Sequence, residues 1–319
     1  MIINERSIKI WSTIGQRATI GMAALELAKE IENLMVLTCD VSTSAGLDRF
    51  RKTFPDKYLD LGIAEQNMIG VAAGLASENY NVVTTTFAPF QTMRCCEQIK
   101  VNIGYMKKKI CMVGIASGLV LGNLGYTHCC IEDIGVLRSI PGLKIISPAD
   151  CLETVKALES GIKSKDPVYI RLTGSSNNPI IYKNDYDFKI GKSITLKEGK
   201  DVTIFCTGAI VSNCLKAAKL LENNKVSCKV VNMHTIKPID VDAIKNSCNS
   251  KMIVSVEEHN VIGGLGSAIS EYKSTLLNSP KQLFIGIQDS YSKGGSYEFL
   301  LNKHGLTPDQ ISEKILKNV

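Results

Sequence analysis

Apolar positions along the chain alternate between short continuous runs and stretches with helical spacing. The runs predict strands at residues 34–40, 58–61, 82–86, 109–115, 143–147, 168–172, 201–206, 227–233, 252–256 and 283–287. Apolar residues three and four positions apart predict helices at residues 19–30, 68–75, 92–105, 131–138, 151–164, 211–223, 241–248, 266–277 and 312–317. This alternation of strand and helix predicts mostly parallel sheets that are covered on both faces.

One polar stretch interrupts the alternation near the middle of the chain. Residues 173–187 read TGSSNNPIIYKNDYD and are rich in Gly, Ser, Asn, Asp and Pro, a composition that suits a linker. The predicted fold class is therefore α/β with two doubly wound domains. We predict a mostly parallel-sheet domain at residues 1–175, a linker at about residues 176–187, and a smaller α/β domain at residues 188–319.

The stretch from Tyr58 to Arg94 concentrates the candidate chemistry of the first domain. Glu65 lies between a strand end and an apolar helix, and the next strand leads to Phe87 and Phe90. A buried acid beside two aromatic rings is either part of a core or what a flat, nitrogen-containing heterocycle requires. Ligands of parallel sheets collect beyond the carboxyl ends of the strands, where Asp40, Glu65, Phe87 and Arg171 are expected.

Four collinear blocks resemble the transketolase family. GIAEQNM at residues 62–68 and TFAPF-x3-R at residues 86–94 are similar to its pyrimidine-binding domain. GYTHCCIEDIGVLRSIPGLKIISPAD at residues 125–150 resembles the segment that carries its substrate-binding histidine. KPID at residues 237–240 and VEEHNVIGGLGSAI at residues 256–269 look like its C-terminal domain. The resemblance implies a transferase that uses thiamine diphosphate in carbohydrate metabolism.

The resemblance assigns the cofactor site to residues of the first domain. It implies that Glu65 hydrogen-bonds the aminopyrimidine ring nitrogen of thiamine diphosphate and is catalytic. Phe90 would stack on that ring, with Phe87 and Met93 completing the pocket. We also assign Asp40 to the cofactor site.

Three further residues are predicted to meet the substrate. The resemblance implies that His128, the second catalytic candidate, contacts sugar hydroxyls, and a histidine with a pKa near neutrality suits proton transfer. It places Arg94 near the active site and Arg171 on a substrate phosphate, which an arginine can bind bidentately. From the residues alone, a structural histidine, a solvated Arg94 and an interface salt bridge at Arg171 remain open.

Two departures from the family pattern fall in the predicted substrate site. Leu124 stands where the family commonly has an aspartate, in Asn-Leu-Gly-Tyr-Thr-His. Ala116-Ser117 stands where the family has a phosphate-binding His or Arg. The donor and acceptor sugars therefore stay open.

Composition excludes several other classes of protein. The net charge of +6 comes from scattered Lys and Arg, which argues against nucleic-acid binding and allows mild attraction for sugar phosphates. No apolar run reaches membrane-spanning length, and the start MIINERSIKI lacks a secretory signal. The 11 cysteines contain no C-x-x-C pair and are expected to be reduced thiols in a cytoplasmic protein.

A missing motif suggests a partner. The family's Gly-Asp-Gly with a downstream Asn, which holds Mg²⁺ and the diphosphate, does not occur, and no metal ligands are predicted in this chain. The resemblance thus implies the C-terminal subunit of a split transketolase. An N-terminal subunit would bind Mg²⁺ and the diphosphate, and two copies of this chain would form the centre of an α2β2 heterotetramer. The alternatives are a subunit like 1-deoxyxylulose-phosphate synthase, a β-type subunit of a 2-oxo-acid dehydrogenase, or a non-catalytic subunit.

Overall fold

Two sheets organise the protein, whose computed structural model describes residues 2–319. The strands are β1 Leu34–Thr38, β2 Tyr58–Asp60, β3 Asn81–Phe87, β4 Ile110–Ile115, β5 Lys144–Ile146, β6 Val168–Arg171, β7 Ile194–Lys197, β8 Val202–Cys206, β9 Cys228–Asn232, β10 Thr235–Lys237, β11 Met252–Asn260 and β12 Lys281–Ile287. The first sheet has the order β10-β5-β6-β4-β3-β1-β2 and the second has the order β12-β11-β8-β9-β7. All neighbours pair in parallel except β10 with β5 and β7 with β9. The predicted α/β fold class is confirmed.

Twelve α-helices cover the sheets within residues 2–319. They are α1 Glu5–Glu30, α2 Asp48–Thr53, α3 Glu65–Ser77, α4 Ala88–Gln91, α5 Cys96–Gln98, α6 Asp133–Arg138, α7 Cys151–Lys163, α8 Val211–Asn223, α9 Val241–Asn246, α10 Leu265–Lys273, α11 Tyr297–Lys303 and α12 Pro308–Leu316. None of the helices described is long and apolar enough to cross a membrane.

Neighbouring residues along the strands supply opposite faces of the first sheet. Val83 and Val113 belong to a core under α1 and α7, whereas their neighbours Val82 and Met112 belong to a core under α3 and α6. Side chains alternate across a strand, so a sheet buried on both faces needs apolar residues at consecutive positions. This is why continuous apolar runs identified the strands.

The helix predicted at residues 92–105 is interrupted. Residues 88–105 form α4, a turn, α5 and a wide helical segment at Ile99–Tyr105. Pro89 occupies the first turn of α4, where a missing N–H costs nothing. The interruption brings Arg94 into a turn rather than onto a helix face.

Helix α1 is longer than predicted, because it begins at Glu5 and its first half already buries Ile8 and Trp11 in the core. Asn4 caps it by accepting from the backbone N–H of Ser7 at 2.9 Å. Gly15 bends the helix with a φ of 82°, and a side chain there would collide with the backbone of Ser175. The close approach explains a glycine inside a helix.

Strand β10 joins the two halves of the chain in a way the sequence did not predict. It follows β9 of the second sheet but pairs antiparallel with β5 at the edge of the first sheet. The backbone N–H of Ser147 also donates to the carbonyl of His234 at 2.7 Å. The linker and domain boundaries stay predictions.

We expect His234, just before β10, to make the protein less stable in acid. Its buried ring stacks on Phe188 with centroids 4.3 Å apart, and burial lowers its pKa from 6.5 to about 4. Below pH 6.5 the His234 ring therefore binds a proton in the unfolded chain but stays neutral in the folded chain, so the stability of the fold falls as the pH drops toward 4.

His234→Phe should remove this loss while retaining the stack on Phe188. Between pH 7 and pH 4, the unfolding free energy of the wild type should fall by about 3 kcal/mol more than that of the variant. Urea unfolding across this range measures it, and other titrating groups cancel in the difference. If the unfolding free energies of the two proteins changed equally with pH, His234 would not be the cause of the loss.

Candidate functional site

Glu65 is buried at the start of α3, beyond the carboxyl end of β2. In the turn before it, Gly62 has a φ of 66°. The carboxylate of Asp60 fixes this turn by accepting from the backbone N–H of Gly62 at 3.0 Å and of Asp40 at 2.9 Å. The Glu65 side chain is only 5% exposed, and the helix N-terminus favours its negative charge.

Arg94 binds the Glu65 carboxylate. One guanidinium nitrogen donates to both carboxylate oxygens, at 3.0 and 2.9 Å. The guanidinium carbon also lies 4.0 Å from the centre of the Phe90 ring. Gln66 holds the turn by donating from its side chain to the carbonyl of Arg94 at 3.0 Å. A flat group with N–H donors therefore lies between a buried acid and an aromatic face.

Three rings meet beside this ion pair. The centroid of His128 lies 5.3 Å from that of Phe90 and 6.0 Å from that of Phe87, and the two phenylalanines are 6.3 Å apart. All three pairs meet edge to face, an arrangement that aromatic rings favour. The hydroxyl of Thr127 lies 3.0 Å from Nδ1 of His128. Five predicted site residues, Glu65, Phe87, Phe90, Arg94 and His128, are thus brought together.

Two other predicted cofactor residues lie outside this set of contacts. Met93 is 45% exposed. Asp40 is exposed, with a φ of 56°. Within residues 2–319, its side chain takes no part in the contacts that join Glu65, Arg94, Phe90 and His128. Their contacts with a cofactor stay predictions.

Arg171 does not lie where a substrate phosphate could reach it. Its side chain is 1% exposed, and its Nε donates to both oxygens of Asp133 at 2.9 Å. Its Nη2 donates to the carbonyls of Cys130 and Glu258 at 3.2 and 2.9 Å. The predicted phosphate contact is therefore wrong for this arrangement, because the guanidinium is committed to buried acceptors.

Asp133 is the centre of this buried network, and no pattern in the sequence pointed to it. It also accepts from the hydroxyls of Ser117 and Tyr169, each at 2.7 Å. Burial by itself raises the pKa of Asp133, but the charges of Arg171 and His259 and these hydroxyl donors lower it below its ordinary value. Asp133 therefore stays ionised without contact with water.

Two further buried acids, Glu257 and Glu258, follow in the sequence VEEH. Burial raises the pKa of each to about 7. Glu257 accepts from the backbone N–H groups of Leu265 and Gly266 at 2.6 and 2.8 Å, which secures the start of α10. Their neighbour His259 is fully buried near Asp133. The burial of this motif inside the protein gives it a structural role.

The sequence comparisons agree along most of the chain. Residues 12–178 match the family model described as the transketolase pyrimidine binding domain, and residues 191–311 match the one described as the transketolase C-terminal domain. The chain belongs to the transketolase family. Thiamine-dependent ketol transfer is the general activity of that family.

Several relatives of this transketolase-family chain match nearly end to end. A putative transketolase C-terminal section from Methanocaldococcus jannaschii is 38% identical, over 96% of this chain and 96% of that protein. An apulose-4-phosphate transketolase subunit from Phocaeicola vulgatus is 35% identical, over 96% and 98%. A solved structure described as a split gene transketolase, inactive beta4 tetramer, has a TM-score of 0.85 at 35% identity and covers 95% and 97%.

The two departures from the transketolase pattern have different surroundings. Leu124 is 56% exposed. Ala116 and Ser117 are buried, and Ser117 is committed to Asp133. Within the part of this transketolase-family chain that the structure describes, no group of three or more His, Cys, Asp or Glu could hold a metal ion.

Proposed function

We propose that this chain is the C-terminal subunit of a split transketolase that moves two-carbon ketol units between sugars with thiamine diphosphate. The support comes from relatives that match almost their whole length and are named as a C-terminal section and as a transketolase subunit. An N-terminal partner subunit would bind Mg²⁺ and the diphosphate. Self-association of this chain is supported by the related beta4 tetramer, and we propose that two copies form the centre of an α2β2 enzyme.

The contact that carries this proposal is the guanidinium of Arg94 between Glu65 and Phe90. It is planar, donates N–H to the buried carboxylate at 2.9 Å and covers the ring at 4.0 Å. An aminopyrimidine ring is also flat and would use the same acceptor and the same aromatic face. The residues present therefore fit the cofactor's ring, with Phe87 close to Phe90.

Thiamine diphosphate supplies carbanion stabilisation when bound. The chain's own part is to orient the ring and to hold a proton at the Glu65 carboxylate. Phe90 sets the plane of the ring beside the buried Glu65 carboxylate. His128, beside both phenylalanines, would donate to or accept from the hydroxyls of the sugar.

Arg94 and the cofactor would compete for the same carboxylate oxygens. The Arg94 side chain is 42% exposed, so its guanidinium can move into solvent at modest cost while its backbone stays in place. A displaced Arg94 would remain beside the site as a positive charge. That charge suits a phosphorylated or otherwise anionic sugar.

Reconstitution with the N-terminal partner tests the proposal. The two-chain complex should bind thiamine diphosphate with Mg²⁺ and transfer a ketol unit from a ketose donor to an aldose acceptor. The chain alone is the control and should not turn over substrate. Release of carbon dioxide from pyruvate would instead favour a synthase or dehydrogenase subunit, and absence of cofactor binding would favour a non-catalytic subunit.

Phe90→Leu should weaken cofactor binding without unfolding the protein. Leucine keeps an apolar contact but loses ring stacking, which is worth about 1 kcal/mol, or roughly fivefold in Kd. Titration of the complex with thiamine diphosphate measures the change. Phe284→Leu, in the second sheet, is the matched control and should leave the Kd unchanged. Equal Kd values for Phe90→Leu and wild type would refute the stacking role.

A further inference from the structure

The segment that carries His128 is a closed loop. Gly118 and Cys130 exchange two backbone hydrogen bonds, from N–H to carbonyl, at 2.8 and 3.0 Å. A tight helical turn, Gly122–Thr127, lies between them. We call residues 118–130 the His128 loop. The loop leaves the first sheet after β4 and returns to it before α6.

The far end of this loop is bound by residues that follow the second sheet. The hydroxyl of Tyr126 lies 3.0 Å from Nε2 of His304 and 3.1 Å from the hydroxyl of Ser292. Ser292 and His304 are themselves 3.2 Å apart, so the three groups form a closed triangle. The ring of Tyr126 also packs on that of Tyr291 with centroids 4.8 Å apart. We call residues 291–304 the anchoring segment.

Backbone contacts join the same two segments. The N–H of Gly295 donates to the carbonyl of Gly122 at 3.0 Å. A side chain at position 122 would collide with Leu300 and with the carbonyl of Gly295, so the segments approach as closely as a glycine allows. This is a fitted contact rather than a chance meeting of surfaces.

A buried acid links the first residues of the loop to the same segment. Glu258 accepts from the backbone N–H of Leu119 at 2.7 Å and from the hydroxyl of Tyr297 at 2.6 Å. Tyr297 begins α11 within the anchoring segment. The loop is therefore held at its base and at its turn.

The side chains of Tyr126 and His128 contact different parts of the protein, although the two residues lie at the end of the same turn. Gly125 has a φ of 74°, and its carbonyl accepts from the N–H groups of His128 and Cys129, both at 3.0 Å. Tyr126 consequently contacts the anchoring segment, while His128 contacts Phe90 of α4, the short helix that follows β3 of the first sheet. The position of His128 is thus set from the side of the second sheet.

We propose that Tyr126 and His304 are positioning residues that hold His128 against the cofactor site, so that the C-terminal region completes the substrate site. The proposal rests on the proposed function of His128. A displacement of about 1 Å in a group that handles protons can lower the rate by up to about 100-fold. The anchor would therefore affect substrate turnover without contacting the substrate.

The state of His304 suits an uncharged anchor. Burial, followed by the charges of Lys303 and Lys314, lowers the pKa of His304 below its ordinary value. The ring is therefore neutral at neutral pH and keeps one nitrogen with a free lone pair. That nitrogen can pair with a hydroxyl without placing a charge between the loop and the segment.

The test uses Tyr126→Phe and His304→Leu in the reconstituted two-chain complex. Each should lower kcat/KM for the sugar by about tenfold while the Kd for thiamine diphosphate stays within about twofold. His304→Gln keeps a hydrogen-bonding side chain and should restore most of the activity. Tyr80→Phe, at the opposite end of β3 from Phe87, is the matched control and should behave as wild type.

Hydrogen–deuterium exchange of the same variants reports on the anchor without requiring turnover. Peptides from residues 118–130 should exchange faster in Tyr126→Phe and His304→Leu, while peptides from residues 65–77 should not change. If exchange of residues 118–130 is unchanged, the contact between Tyr126 and His304 does not hold the loop, and the proposal is overturned. If exchange is faster but kcat/KM is unchanged, the contact does not position His128, and the proposal is also overturned. Equal losses of kcat/KM and cofactor affinity also overturn it. Failure of the wild-type complex to transfer a ketol unit defeats the proposed function itself.

Discussion

Glu65→Gln is expected to lower kcat of the proposed two-chain enzyme by at least about 100-fold, the scale of positioned acid–base catalysis. Glutamine has nearly the same volume but cannot take up and return a proton at this site. The aminopyrimidine ring of thiamine diphosphate would still contact a polar side chain, so cofactor affinity should decrease less than turnover. Steady-state rates and a thiamine diphosphate titration separate the two effects.

The fold should tolerate this substitution. Arg94, the partner of Glu65, is 42% exposed and can turn to solvent, so loss of the ion pair should cost about 1 kcal/mol or less. Glu78→Gln, at the other end of α3, is the matched control and should leave kcat unchanged. Near-normal kcat in Glu65→Gln would remove the acid from the mechanism.

Arg171→Met is expected to destabilise the protein by about 3–5 kcal/mol, because it leaves Asp133 as a buried charge without its partner. Both side chains of the pair are at most 1% exposed, and their shortest distance is 2.9 Å. Urea unfolding measures the loss. Glu159→Gln, which removes the exposed pair with Lys163, is the control and should change stability by about 0.5 kcal/mol or less.

This result also separates two roles for Arg171. If Arg171 bound the substrate phosphate, Arg171→Met would raise KM for a phosphorylated sugar and leave stability nearly unchanged. That outcome would contradict the buried role. The structural role adds a pH dependence, because the pKa of Asp133 is lowered in the fold. Its contribution is present above the unfolded pKa and is lost as the pH falls through the lowered value.

The sequence predicted what depends on local pattern. Apolar runs located β4 and β6 because a sheet buried on both faces needs apolar residues at every position. Glu65 was predicted at a helix start from the turn before it and the apolar spacing after it. The ring cluster followed from family motifs rather than from periodicity.

Pairings between distant segments were not predictable in this way. Arg94 meets Glu65 from 29 residues away, through a turn that interrupts an otherwise helical pattern. Arg171 meets Asp133 from 38 residues away, and neither residue type signals burial by itself. Tyr126 and His304 are 178 residues apart. Such contacts depend on how the two sheets pack, which no local spacing encodes.

Strand β10 has a consequence for how the molecule comes apart. Because this strand belongs to the ladder of one sheet while its neighbours in sequence belong to the other, neither half can detach without opening backbone pairs at the edge next to β5. We expect calorimetry of the isolated chain to show a single melting transition. A hinge motion that swings one half away from the other would have to break these same backbone pairs, so we expect the two halves to move as one body.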